Sequence, residues 1–95
     1  MARKTVSFNP KGIQKLPNDK PVVYKIETET GKNNYTGIAQ RGRVRERLGE
    51  HLPAGQDPVP GAKVVVEQMK TIAEAREKEQ RIIKLSQPPY NEQGK

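Results

Sequence analysis

The chain of 95 residues contains no cysteine and no tryptophan, one phenylalanine and one histidine. Without cysteine there is no disulfide staple and no thiolate metal site, and the composition fits a reducing, cytoplasmic setting. No apolar run approaches the ~20 residues that a membrane-spanning helix needs. The first residues, MARKTVSFNPKGIQ, are basic but lack the apolar centre of a secretory signal. Hydrophobic residues make up only 32% of the chain, so the core must be small. A domain of this length buries a limited fraction of its surface, and an ionisable side chain at a core position is therefore conspicuous. There is length for one domain, with no internal repeat and no low-complexity segment.

What the chain does have is positive charge. The net formal charge is +7, and four of the seven arginines fall in RGRVRERL, residues 41–48. Clustered arginine favours a polyanionic partner, most commonly a nucleic acid backbone. Arg41, Arg43, Arg45 and Lys25 are the candidate backbone contacts. Arg3, Lys4, Lys11 and Lys15 in the N-terminal segment can add non-specific ones.

The pattern of apolar residues divides the chain as follows. Residues 1–19 form a basic N-terminal segment with scattered apolar positions and room for a short helix around 10–16. The domain proper is expected over 20–95. KPVVYKIE (20–27) is β-branched and aromatic and predicts a strand. TETGKNN (28–34) predicts a turn, and YTGIA (35–39) a second strand paired with the first as a hairpin. RGRVRERLGEHL (41–52) predicts a helix with Val44, Leu48 and Leu52 on one face, weakened by Gly49 and ended by Pro53. AKVVVEQM (62–69) predicts a third strand. A long helix follows over 71–86, with Thr71 as N-cap, Glu74 placed to complete a capping box, and Pro88 and Pro89 as the stop. The expected architecture is α+β: a small three-stranded antiparallel sheet with flanking helices, in the order β-β-α-β-α.

One position conflicts with this economy. In AREKEQRIIKLSQPPYN (75–91), Ile72, Ala75, Ile82 and Ile83 form one apolar stripe on the last helix, and Glu79 falls inside it. Burying a carboxylate without a partner costs several kcal/mol. Either a cationic partner neutralises Glu79 or the carboxylate has chemical work. The other polar residues brought toward the core or its rim are Tyr24, Tyr35, Arg47, His51 and Asn91. Arg47 and His51 lie one helical turn apart and share a face. A set of Tyr, Tyr, Arg, His, Glu and Asn suits phosphodiester cleavage. A hard divalent ion takes one or two carboxylates plus substrate oxygens and waters. Arginine neutralises charge that develops on phosphate, and a tyrosine or histidine orients or deprotonates water. Taken singly, each residue has an ordinary structural explanation.

The chain also resembles a known family. VVY (22–24) followed by YTG (35–37) is similar to the paired motif that names the GIY-YIG nucleases. RLGEHL resembles the family's arginine-bearing helix, with a histidine four residues after the arginine. EQRIIKLSQPPYN resembles its last helix and tail, as in the nuclease domain of bacterial excision repair. The resemblance spans residues 20–91. It departs at Val22 and Val23, which replace Gly and Ile, and at Thr36, which replaces Ile. It implies a three-stranded GIY-YIG-like fold and a metal-dependent endonuclease acting on DNA, with RNA as a further possible substrate. It implies one divalent metal, Mg²⁺ or Mn²⁺, held by Glu79. Tyr24 would position or deprotonate the attacking water, Tyr35 would support that network, and Arg47 would hold the scissile phosphate beside His51. Gly37 would allow close backbone approach, and Asn91 would match the family's terminal asparagine. Arg45 fits the commoner spacing from Tyr35, whereas Arg47 brings His51 with it and is favoured. On a helix the two point about 200° apart, so they cannot serve one site. With so small a footprint, targeting is expected from DNA structure, a partner protein or a homodimer. The alternative expectation is an inactive nucleic-acid-binding module of the same fold.

Overall fold

The computed structural model describes residues 3–56 and 58–90. Its elements run β1 (Arg3–Ser7), α1 (Pro10–Gln14), β2 (Val22–Glu27), β3 (Asn33–Ala39), α2 (Val44–Gly49), β4 (Lys63–Gln68) and α3 (Ile72–Ser86). The protein is a small α+β domain. Its sheet has four strands in the order β1-β4-β2-β3, and every pairing is antiparallel.

The sheet is apolar on both faces, and the alternation along β2 shows why. Val22, Tyr24 and Ile26 turn to one face and Val23 to the other, and all four are buried. On the first face they meet Val64 and Val66 of β4, Val6 of β1, Ile13 and Leu16 of the α1 region, and Val44 and Leu48 of α2. On the second face Val23 packs with Met69 and with Ile72, Ala75 and Ile82 of α3. Helices α2 and α3 therefore lie on opposite faces of the sheet.

The strand count corrects the expectation of three. β1 pairs with β4 from Arg3↔Glu67 to Ser7↔Lys63. RKTVS buries only Val6, so no apolar run announces a strand, and β4 supplies the template. The segment expected as a basic extension thus contributes a strand and part of the core. Asn9 caps α1 by accepting from the Gly12 N–H at 2.7 Å, and Pro10 occupies a first-turn position that has no N–H to satisfy.

Helix α2 is shorter than the predicted 41–52. Gly42 takes a left-handed φ of 84°, so the helix starts only at Val44. Arg43, its N-cap, makes no side-chain capping bond. Asn18 supplies one from a distant loop, its Oδ1 accepting from the Val44 N–H at 2.8 Å, and its backbone carbonyl accepts from Gly42. On α3 the Thr71 cap is present, with its Oγ1 accepting from the Glu74 N–H at 3.2 Å. The reciprocal half of the capping box is displaced by one residue, because Glu74 accepts from the N–H of Lys70 and not of Thr71.

One buried carboxylate ties three elements together. Glu67 of β4 accepts a hydrogen bond from Lys78 of α3 at 2.6 Å and lies 3.6 Å from Arg3 of β1. Burial alone would raise its pKa, but Lys78 and Arg3 outweigh that, and the net effect is a pKa below the ordinary carboxylate value. An acid with a depressed folded-state pKa contributes stability above its unfolded pKa and loses it as pH falls through the folded value. Glu67→Gln is expected to lower stability at pH 7 by about 1–2 kcal/mol. The deficit relative to wild type should shrink below about pH 4.5, as denaturant melts from pH 7 to 3 would show.

Candidate functional site

The site is built around the place where a side chain of β2 crosses β3. Tyr24 pairs with Gly37 across the hairpin. A Cβ at Gly37 would lie 2.6 Å from both Cζ and the hydroxyl oxygen of Tyr24, and 3.0 Å from Cε1 of Tyr35. Glycine is what lets the phenol lie over the backbone of β3, the edge strand. The Tyr24 hydroxyl is 2.9 Å from Nε2 of His51, in a buried hydrogen bond. Tyr35 completes the cluster, stacked on Tyr24 with ring centroids 6.2 Å apart and 4.6 Å from the His51 ring.

His51 reaches this position because α2 lies on the Tyr24 face of the sheet, anchored by Val44 and Leu48. The chain after α2 stays tightly turned, with the His51 N–H bonded to Leu48 O and the His51 carbonyl accepting from Val59. His51 is 5% exposed. Arg47 lies one turn earlier, half-exposed, and pairs with Glu50 at 3.8 Å. Arg45 is directed away, its Nε donating to the Leu16 carbonyl at 3.0 Å. Of the two arginines, Arg47 is the one among the main charges acting on Tyr24.

Burial is the largest cause that pushes the Tyr24 hydroxyl far above the ordinary phenol range. Tyr35 adds to the rise, Arg47 opposes it, and Glu79 and Glu50 contribute further. The hydroxyl therefore keeps its proton at neutral pH and serves as a hydrogen-bonding group, not as a phenolate. The influence of Glu79 on Tyr24 places that carboxylate within electrostatic reach of the tyrosine cluster, although α3 packs on the other face of the sheet.

Glu79 is half-buried at the margin of the α3 stripe. Burial raises its pKa above the usual carboxylate value, and Arg76, a hydrogen bond with Gln80, and Arg47 act against that rise. The cationic neighbours are thus Arg76 on its own helix and Arg47 from the opposite face. Among the described residues no group of three or more His, Cys, Asp or Glu side chains is assembled for a metal. The one carboxylate on offer, Glu79, is the least protein ligation with which a hard cation such as Mg²⁺ is compatible, because that ion commonly keeps several waters.

Tyr24, Tyr35 and His51 are in mutual contact, Gly37 lies against both tyrosines, and Arg47 and Glu79 are within electrostatic range of Tyr24. Asn91 lies outside the described residues. Arg43 flanks Arg47 on α2, whereas Arg41 lies by Lys20 and Lys70, and Lys25 by Glu27 and Lys32, each in a separate depression. Arg76 was missed from the sequence. Its one signal was a cation three residues before Glu79, on the same edge of the stripe. No family model matches the chain, no curated protein is significantly similar to it, and no solved structure matches it.

Gly37→Ala is expected to force the Tyr24 ring out of place and to cost about 1–3 kcal/mol of stability, measurable by chemical denaturation. Glu79 carries the opposite expectation. An acid whose folded pKa is raised destabilises the fold while ionised, and the penalty is relieved as pH falls through that pKa. Glu79→Gln should therefore be at least as stable as wild type at pH 7, with the difference narrowing in acid. A clear loss of stability in thermal melts would show that Glu79 is a structural ion-pair partner instead.

Proposed function

We propose that the protein is a metal-dependent endonuclease of the GIY-YIG type, hydrolysing phosphodiester bonds in DNA with little sequence specificity or under the direction of DNA structure. The observation that carries this reading is the Tyr24–His51 hydrogen bond, set where the opposed charges Arg47 and Glu79 converge from the two faces of the sheet. Packing alone explains the two tyrosines. It does not explain a half-buried carboxylate with a raised pKa beside a buried Tyr–His pair.

The chain's own groups suit an in-line attack by water. The water oxygen bonds to phosphorus as its proton passes to the Tyr24 oxygen and the Tyr24 proton passes to Nε2 of His51. The bond from phosphorus to the leaving strand oxygen breaks, and that oxygen takes a proton from solvent. The coupled transfer avoids a free phenolate, which the burial of Tyr24 disfavours. It requires the His51 tautomer that leaves Nε2 unprotonated. Arg47 balances charge on the non-bridging oxygens. Glu79 would hold a Mg²⁺ or Mn²⁺ ion, which would supply Lewis-acid neutralisation of charge on the phosphate. Targeting to a biological substrate is assigned to a partner protein or a second copy of the chain, because one domain of this size offers a small footprint.

The test is cleavage of supercoiled plasmid, of branched and flapped DNA, and of RNA, with Mg²⁺, with Mn²⁺ and with EDTA. Wild type is expected to nick DNA only with metal. Glu79→Gln, Arg47→Ala and Tyr24→Phe should each lose about 10²-fold or more. Metal-independent DNA binding, with no cleavage by any form, would replace this reading with an inactive binding module.

A further inference from the structure

A cleft of about 240 Å³ opens between the end of β3 and the facing turns of α2 and α3, and it shares Arg47 with the candidate site. Arg43 and Arg47 line it from α2, Arg76 from α3, and Ile38, Gln40 and Ile72 form much of its floor. Among the described residues Arg43 pairs with the exposed Glu46 at 2.7 Å, which a stronger anion can displace. Arg47 pairs with Glu50 at 3.8 Å and Arg76 acts on Glu79, yet three arginines from two helices line one cleft, where no core packing requires them.

The cleft's size and shape limit what it can hold. It is smaller than the ~300–1,000 Å³ of ordinary small-molecule sites, so it suits part of a larger ligand better than a free metabolite. Its walls are cationic and its floor partly apolar, the combination that accepts a phosphate together with the sugar beside it. A second, separate depression is lined by residues close to it in the chain. Arg41 follows Gln40 in the chain, Lys70 precedes Ile72 by two residues, and both line a neighbouring depression with Lys20. Asp19 is the acid in that depression, and it accepts from Gln68 at 2.9 Å.

We propose that Arg43 and Arg76 form, with Arg47, a subsite for the sugar-phosphate unit next to the scissile one, and that the bound strand leaves over Arg41 and Lys70. The inference rests on reading the neighbouring tyrosine cluster as a phosphodiester site, and it assigns the protein's substrate as a continuous strand. Arg43 and Arg76 are binding residues here. Arg47 is shared between the subsite and the reacting phosphate.

The test measures binding, not cleavage. A fluorescent single-stranded DNA oligonucleotide is titrated into the full chain in EDTA at several salt concentrations. Wild type is compared with the Arg43→Gln/Arg76→Gln pair and with a control pair, Lys32→Gln/Lys84→Gln, which removes equal charge from the exposed β2–β3 turn and the last turn of α3. The cleft pair is expected to weaken binding at least tenfold and the control pair less than threefold. The slope of log affinity against log salt should shrink by about 0.7 for the cleft pair, the value for one phosphate contact on a single strand. Thermal melts should match wild type, because both arginines are exposed.

Equal losses in the two pairs would overturn the subsite and leave only a general effect of charge. A mononucleotide that binds as tightly as the oligonucleotide would overturn the assignment of a strand. Because the titration involves neither metal nor Glu79, a failure here is separable from a failure of the nuclease reading. The subsite stands if Glu79→Gln binds the oligonucleotide like wild type while the cleft pair does not.

Discussion

The crossing of Tyr24 over Gly37 is the constraint on which the candidate site depends. The phenol belongs to the core on the α2 face of the sheet and extends across the edge strand, because the residue paired with it has no Cβ. That placement brings the hydroxyl to His51 and allows Tyr35, two residues before Gly37, to stack on the same ring. With Gly37 changed, Tyr24 would have to turn back, and the hydrogen bond, the stacking and the electrostatic link to Arg47 and Glu79 would go with it.

The sheet's edge also explains how two helices on opposite faces act on one point. Arg47 comes from α2 and Glu79 from α3, and β3 is narrow enough for the charges of both to reach Tyr24. The two acids associated with α3 make an instructive contrast. Glu67 faces Lys78 and Arg3 and is held ionised, so it serves the fold. Glu79, next in sequence to Lys78, turns to the margin, and there burial outweighs its cationic neighbours. Adjacent residues on one helix point about 100° apart. In this way α3 contributes a structural ion pair and a strained carboxylate from a single turn.

Much of this arrangement was legible in the residue pattern. VVYKIE and KVVVEQ are β-branched enough to predict their strands, and Thr71 with Pro88 bounds the last helix. The irregular position of Glu79 was visible as a break in the stripe of Ile72, Ala75 and Ile82. β1 was not legible, because an edge strand that buries one side chain draws its stability from the backbone of its partner. The true start of α2 was also hidden, since Asn18, 26 residues away, provides its cap. Arg76 carried no distinctive signal, because a cation on an exposed helix face reads as solvated until the opposite helix is placed.

The sequence by itself determined the class of fold, the basic character of the surface and the identity of the polar residues that a small core would not otherwise contain. These are local or compositional properties, set by side-chain periodicity and by charge. Only the tertiary structure distinguishes Arg45 from Arg47, which are equally arginine and differ by half a helical turn. The backbone carbonyl of Leu16 holds the first, while the charge of the second acts on Tyr24. It likewise decided that Arg43, Arg47 and Arg76 share one cleft. Proximity between α2 and α3 follows from how the chain wraps a sheet, and no spacing within either helix encodes it.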